Sequence, residues 1–334
     1  MTDLIPFEDH LQELIETNYG LKVISAPEHL PHVHQNRHRK LTVETEQGRF
    51  LIKTYDATAE ALDNMWFQHR LSRHLEKHGL PVAHIQPTLK GPTITRIEDW
   101  AMELQQFVAG KSMQVTPKSL IASARALGKL HWDCRDFPCP ERDTRMWRFS
   151  EVPRELFASL FESARKIENS SRVISQCDRI ALFLREAGND LDLRTRDTFE
   201  TGLIHGDWHS GNLIYQGDRL NAIIDLEFAG DGCYLEDLAY AISNLCVRTT
   251  VDTQKLNQRT DLLLHYYTKY RTLSPQEEHA LYYAVGIKHV VTVCYQILQM
   301  KGKVAGYDAA QWMEKLDAQT QWLSDRAAKI HFGW

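Results

Sequence analysis

The sequence predicts an α+β chain in two parts, a small antiparallel β-sheet lobe followed by a mainly helical lobe. Two alternating apolar runs, Lys40 to Thr45 and Arg49 to Tyr55, flank Glu46-Gln47-Gly48 and read as a β-hairpin. From Thr116 onward the apolar residues recur mainly at helical spacing. The length of 334 residues is large for one core and comfortable for two.

Taken in order, Leu21 to Ala26 is a candidate opening strand, and the hairpin follows. Thr58 to Lys77 reads as a helix, with Leu62, Met65, Trp66, His69 and Leu75 roughly along one stripe. Pro81 to Pro87 and Thr93 to Phe107 read as strands, the second leading into a connector. Thr116-Pro117 starts a helix with proline at its first position, and Pro153 to Ile167 and Val173 to Ala187 are amphipathic helices. Thr201 to Ile204 is a short strand; Leu213 to Tyr215 and Leu220 to Leu226 form a hairpin around Gln216-Gly217-Asp218-Arg219. Glu236-Asp237 opens another helix, where Asp237 either caps the helix or ties down the preceding loop. Ser274-Pro275-Gln-Glu277 is a capping box launching a helix to about Met300, and Asp308 to Lys329 closes the chain.

Composition excludes several classes of function. The 43% apolar and 25% charged residues are those of an ordinary globular protein. A net charge of −5 without a long basic run argues against a nucleic-acid partner. No apolar stretch approaches the roughly 20 residues of a bilayer span, so no membrane partner is expected. The six cysteines have no CxxC or regular spacing, and Met-Thr-Asp-Leu-Ile-Pro lacks the parts of a secretory signal; both point to the cytoplasm.

The chemistry concentrates in His205-Gly-Asp207-Trp-His-Ser-Gly-Asn212, followed thirteen residues later by Asp225 within Ala-Ile-Ile-Asp-Leu-Glu. A phosphoryl group in flight needs its charge neutralised, and Mg²⁺ bridging the phosphates of ATP requires hard oxygen ligands. The carboxylate of Asp225 and the side-chain carbonyl of Asn212 suit that task. Asp207, on the loop, is the acceptor for the proton of an attacking hydroxyl. His205 is expected to brace the loop by donating to a backbone carbonyl or a carboxylate. The competing reading is a polar turn in which Asp and Asn serve only geometry.

The stretch from Gly202 to Leu245 resembles the Brenner and metal-binding motifs of the aminoglycoside phosphotransferase and choline kinase-like superfamily. The resemblance extends upstream through Arg49-Phe-Leu-Ile-Lys53-Thr-Tyr, Gly79-Leu-Pro-Val82, Leu104 to Gly110 and Leu127-Gly-Lys-Leu-His131. It implies a protein-kinase-like two-lobe fold, with residues 1–103 as nucleotide-binding lobe, 104–111 as hinge and 112–334 as catalytic and substrate-binding lobe. It also implies an ATP- and Mg²⁺-dependent kinase acting on a small-molecule hydroxyl. Spacing alone leaves Lys53 either a solvated edge lysine or a functional one; the resemblance assigns it to the α- and β-phosphates. The hinge implies adenine contacts from the main chain of Gln105, Phe107 and Val108. Although Phe107-Val-Ala-Gly-Lys-Ser112 ends like a P-loop, Gln105 stands where the leading glycine is needed.

Two features depart from the family pattern. Glu28 to Arg39 contains no glycine to wrap phosphates, leaving Arg37 or Arg39 as substitutes. The helix glutamate expected to pair with Lys53 is replaced by Gln68, so Glu60, with Asp63 nearby, is the candidate. A pseudokinase that binds nucleotide without turnover is therefore the alternative reading. A metal-binding protein built on His29, His32, His34 and His38 is a third, weakened by the absence of HExxH or cysteine spacing. For the acceptor, Glu227, Asp231, Glu236 and Asp237 with Trp208, Phe228 and Tyr234 suggest a cationic group, unless they are caps and core. The twelve residues from Asp225 to Asp237 are too short for a peptide-docking segment, which favours an amine-bearing metabolite or aminoglycoside-like compound.

Overall fold

The hairpin forms the centre of a five-stranded antiparallel sheet. Its strands are β2 (Arg39–Thr45) and β3 (Gly48–Asp56), in register from Arg39 opposite Thr54 to Thr45 opposite Gly48. The short β1 (Glu28–His29) pairs outside β2; β5 (Trp100–Gln106) pairs with β3, and β4 (Thr95–Ile97) with β5. Because side chains alternate across a strand, one face carries Leu41, Val43, Phe50, Ile52, Met102 and Leu104, all buried. Leu11, Ile15 and Tyr19 of helix α1 (Leu11–Tyr19) cover that face, each such burial contributing roughly 1.5–3 kcal/mol. The opposite face carries Lys53, Tyr55, Ala101 and Glu103. Helix α2 (Ala59–Lys77), capped by the Thr58 hydroxyl, packs Met65 against Tyr55 and Ala101 on that side.

The computed structural model describes residues 10–30, 39–139, 152–192, 195, 197–300 and 303–333. They fall into two units, Met1–Lys111 with Ile214–Glu227, and Ser112–Leu213 with Phe228–Trp334. The hairpin at 214–227, expected in the second lobe, thus groups with the sheet. The reason is local: the Ile223 amide donates to the Pro81 carbonyl at 2.8 Å, and Asn221 donates to the Ala109 carbonyl at 3.2 Å.

The second unit is helical, with α3 (Pro117–Asp133), α4 (Arg154–Ile167), α5 (Ser171–Asp190), Tyr234–Ile242, Thr253–Tyr267, Pro275–Met300 and Ala309–Phe332. A two-stranded ladder, Thr201–Ile204 against Gly230–Cys233, supports the loop that follows Ile204. The Ser274 and Glu277 side chains each accept the other's backbone N–H, forming the capping box.

Several expectations need correction. Leu21 to Ala26 and Pro81 to Pro87 supply only single bridges, and Thr93 to Phe107 is broken by a turn at Glu98, whose φ is 52°. The helix Pro275–Met300 is in fact long and apolar enough to cross a bilayer by composition, but 72% of its apolar window is buried within the protein, as a core helix is. Its Gly286 lies against the Phe183 ring of α5, and an added Cβ would run into that ring and sit 3.3 Å from Leu323. Gly286→Ala is therefore expected to cost about 1–3 kcal/mol by overpacking, read as a lowered midpoint in thermal unfolding.

Candidate active site

In the helical unit, the loop from His205 to Asn212 is fixed by one buried carboxylate. Asp237, 1% exposed on the first turn of Tyr234–Ile242, accepts the His205 amide at 2.8 Å and the Gly206 amide at 2.9 Å. Gly206 takes φ 78°, a left-handed conformation that glycine adopts without strain, which lets two successive amides converge on one side chain. Behind Asp237, His131 of α3 lies at 3.0 Å through Nε2, while its Nδ1 meets the Tyr267 hydroxyl at 2.8 Å. Burial lowers the affinity of His131 for a proton, so its neutral ring donates from Nε2 and accepts at Nδ1. Burial also pushes Asp237 upward, but the His131 hydrogen bond and the loop amide outweigh it and hold the carboxyl below its usual range.

The loop then presents Asp207. Its Oδ1 accepts the Tyr240 hydroxyl at 2.9 Å and its Oδ2 accepts the Asn212 amide at 2.9 Å, with His209 Nε2 at 3.3 Å. Burial raises the Asp207 pKa, yet His209, His205 and Tyr240 prevail and keep it ionised. The same Asn212 nitrogen also donates to the Asp207 carbonyl at 3.0 Å, which commits the amide end, and Oδ1 is the hard oxygen the side chain can offer. His205 braces the loop through its Nδ1, which accepts the Asp207 amide at 3.2 Å. Trp208 is core, its indole donating to Ser123 at 2.9 Å.

In the sheet unit, Lys53 is 7% exposed and faces Glu103, its neighbour across the β3–β5 ladder, at 3.9 Å. Glu103 is also bonded by the His69 ring of α2, accepts Gln105 Nε2 at 2.7 Å and lies 3.3 Å from the Tyr55 hydroxyl. Burial would raise Glu103, but His69 and Lys53 dominate and hold it low. The carboxylate beside Lys53 is thus a strand residue; Glu60 lies exposed on the first turn of α2. A signal for Glu103 existed: a lone carboxylate inside Trp-Ala-Met-Glu-Leu, in a strand, must be paired if it is buried.

Asp225 belongs to this unit. It sits 3.7 Å from Lys40 and lines a cleft with Lys53, Gln68, His69 and Gln105. Its φ of 64° is rare for a residue with a side chain, and such strain concentrates where a group must be aimed. At the hinge, the Phe107 amide is committed to the Arg49 carbonyl at 2.9 Å, and Gln105 pairs with Leu51 in the ladder. Arg37 and three of the clustered histidines, His32, His34 and His38, lie outside the described residues. Of the acids expected to meet a cation, Glu236 is bound by Lys288 at 2.5 Å and Asp237 holds the loop, while Asp231 keeps a buried oxygen without a partner among the described residues. Tyr234 is 2% exposed and belongs to the core.

Fold and side chains define a small-molecule kinase with a protein-kinase-like fold. The sequence profile of the phosphotransferase enzyme family matches residues 30–274, and the chain belongs to that family. It is 26% identical over 243 residues to a homoserine kinase of Parvibaculum lavamentivorans, covering 72% of this chain and 70% of the relative. An aminoglycoside phosphotransferase structure from Alicyclobacillus acidocaldarius superposes with a TM-score of 0.73 at 17% identity, covering 99% and 98% of the two chains. An amicoumacin kinase solved with AMP-PNP and Ca²⁺ superposes with a TM-score of 0.60 at 14% identity, covering 95% and 93%. The protein is an ATP-dependent phosphotransferase with a hydroxyl acceptor, and the pseudokinase reading is disfavoured.

Removing the loop anchor tests this construction. Asp237→Ala strands two amides and His131 without their acceptor, and is expected to destabilise the helical unit by about 3–5 kcal/mol, measured by denaturant unfolding. Because its pKa is depressed in the fold, the stability Asp237 contributes is present above about pH 4 and is lost as pH falls through the lower folded value; the variant's unfolding free energy should vary less over that acid range.

Proposed function

We propose that the protein uses Mg²⁺ and ATP to phosphorylate the hydroxyl of a small amine-bearing metabolite, in the cytoplasm where ATP is kept. The observation that carries this reading is Asp207, ionised and held through both oxygens, one of them by the amide of Asn212. The names of the homoserine kinase and aminoglycoside phosphotransferase relatives support an acceptor with both a hydroxyl and an amine. The buried oxygen of Asp231, without a partner among the described residues, supports an ammonium contact.

The residues present suit Mg²⁺. Asp225 offers a carboxylate and Asn212 an amide carbonyl, both hard oxygen donors. When bound, the ion neutralises charge on the phosphates. Lys53, beside Glu103 at 3.9 Å, is assigned to the α- and β-phosphates, and the hinge at Gln105 to Val108 to the adenine. Asp207 orients the acceptor hydroxyl and takes its proton as the new O–P bond forms and the bond to ADP breaks. A carboxylate with a depressed pKa is a weak base, which is sufficient for a loose phosphoryl-transfer transition state in which little proton transfer is needed early.

Asp207→Asn should leave nucleotide binding nearly intact while kcat falls by roughly 10²–10⁴. An equal loss of ATP affinity would make Asp207 a ligand or brace instead. Asp225→Ala should abolish the Mg²⁺-dependent thermal stabilisation by ATP; a shift of unchanged size would remove Asp225 from the metal site.

A further inference from the structure

The helix that carries Asp237 leads from the residue bonded to Asp207 to a cation that faces no carboxylate among the described residues. Tyr240, which bonds Asp207 at 2.9 Å, is followed at four-residue intervals by Asn244 and Arg248. Asn244 donates to the Tyr240 carbonyl at 3.0 Å, and Arg248 Nη1 reaches Asn244 Oδ1 at 3.4 Å. Between them the helix widens into a π turn, Ser243–Val247, closed by the Arg248 amide bonding the Ser243 carbonyl at 2.9 Å. Such turns are rare and recur at functional sites. Gln319 stabilises this one, its amide donating to the Val247 and Thr250 carbonyls at 2.8 and 2.9 Å.

The charge around Arg248 is unusual for this unit. Lys288, Arg271 and Arg326 each face a carboxylate, Glu236, Glu277 and Asp261, at 2.5–2.6 Å. Arg248 and Lys315 face none among the described residues. Lys315 is held over Tyr307 at 4.0 Å, and burial and then the charge of Arg248 lower its pKa. Burial, with these two cations adding to it, pushes the adjacent His289 down to about 4, so the ring is neutral and adds no compensation. Two partly buried cations that face no carboxylate among the described residues, one of them linked to Asp207 through Asn244 and Tyr240, carry an electrostatic cost that an anionic ligand relieves. Side chains on a helix lean toward its N-terminus, which here is the direction of Tyr240 and Asp207. Eight residues separate Tyr240 and Arg248, roughly 10–12 Å along the axis, and the arginine side chain spans part of that distance.

We propose that Arg248, assisted by Lys315, binds a carboxylate on the acceptor, so that the preferred substrate is a small hydroxy amino acid and not an amino alcohol or aminoglycoside. The assignment rests on the kinase reading above and adds the specificity-determining residue. Guanidinium matches carboxylate geometry through paired N–H donors, and the spacing from Asp207 requires the carboxylate to lie only a few bonds from the reacting hydroxyl.

Two acceptor pairs that differ only by a carboxylate test it: homoserine with 3-aminopropan-1-ol, and serine with ethanolamine. The wild-type protein should favour the carboxylate-bearing member of at least one pair by about 10² in kcat/KM. Arg248→Gln should bring that ratio close to one, through acceptor KM and not ATP KM, and Arg248→Lys should recover part of it. Homoserine should raise the thermal midpoint of wild-type protein and of Arg248→Lys, but not of Arg248→Gln. A wild-type ratio near one, a ratio unchanged in Arg248→Gln, or a selective rise in the ATP KM would overturn the assignment while leaving the kinase reading in place. If no acceptor is phosphorylated, the kinase reading fails for these compounds, and the thermal shifts alone still decide for or against the anionic pocket.

Discussion

Asp237 is the group on which the loop from His205 to Asn212 depends. A carboxylate without access to water is stable only when its charge is met on every side, and here two successive amides and the His131 ring do so. The consequence runs in both directions. The loop amides would be unsatisfied without the carboxylate, and the carboxylate would be an unpaired buried charge without the loop. This mutual requirement leaves His205 to Asn212 one conformation, and Asp207 inherits its orientation from it.

Glu103 plays a comparable part in the sheet unit. His69, Gln105, Tyr55 and Lys53 converge on it, so one buried acid organises a lysine, a histidine and an amide around a cleft. Glu103 with Lys53 is not strong evidence for stability, since buried ion pairs about balance their own desolvation. The effect of the two carboxylates is on geometry: each removes the alternative positions its partners would otherwise occupy.

The parts of the fold that were legible in the sequence are those whose pattern is local. The Glu46-Gln47-Gly48 hairpin, the Ser274–Glu277 capping box and the short loop from His205 to Asn212 each announce themselves within a few residues. Helix α1 did not, because its nine residues end at Gly20 but start at His10 without a side-chain cap. Pro81 to Pro87 looks like a strand because Val82, Ala83 and Ile85 are apolar between two prolines, yet it makes only single bridges to Ile223 and Gln105. Glu103 escaped because its partners, His69 and Lys53, are 34 and 50 residues away, and only the ladder register brings them together. The acids after Asp225 misled for the opposite reason: Glu236 and Asp237 look available in sequence and are already occupied by Lys288 and the loop.

The register that places Glu103 directly opposite Lys53 has a further consequence for control. In protein kinases the lysine's counter-ion rides on a mobile helix, so displacement of that helix separates the pair and silences the enzyme. Here lysine and glutamate are woven into adjacent strands, and α2 contributes only His69 to the arrangement. Separating the pair would require unzipping the sheet, so a displacement of α2 would leave lysine and glutamate together.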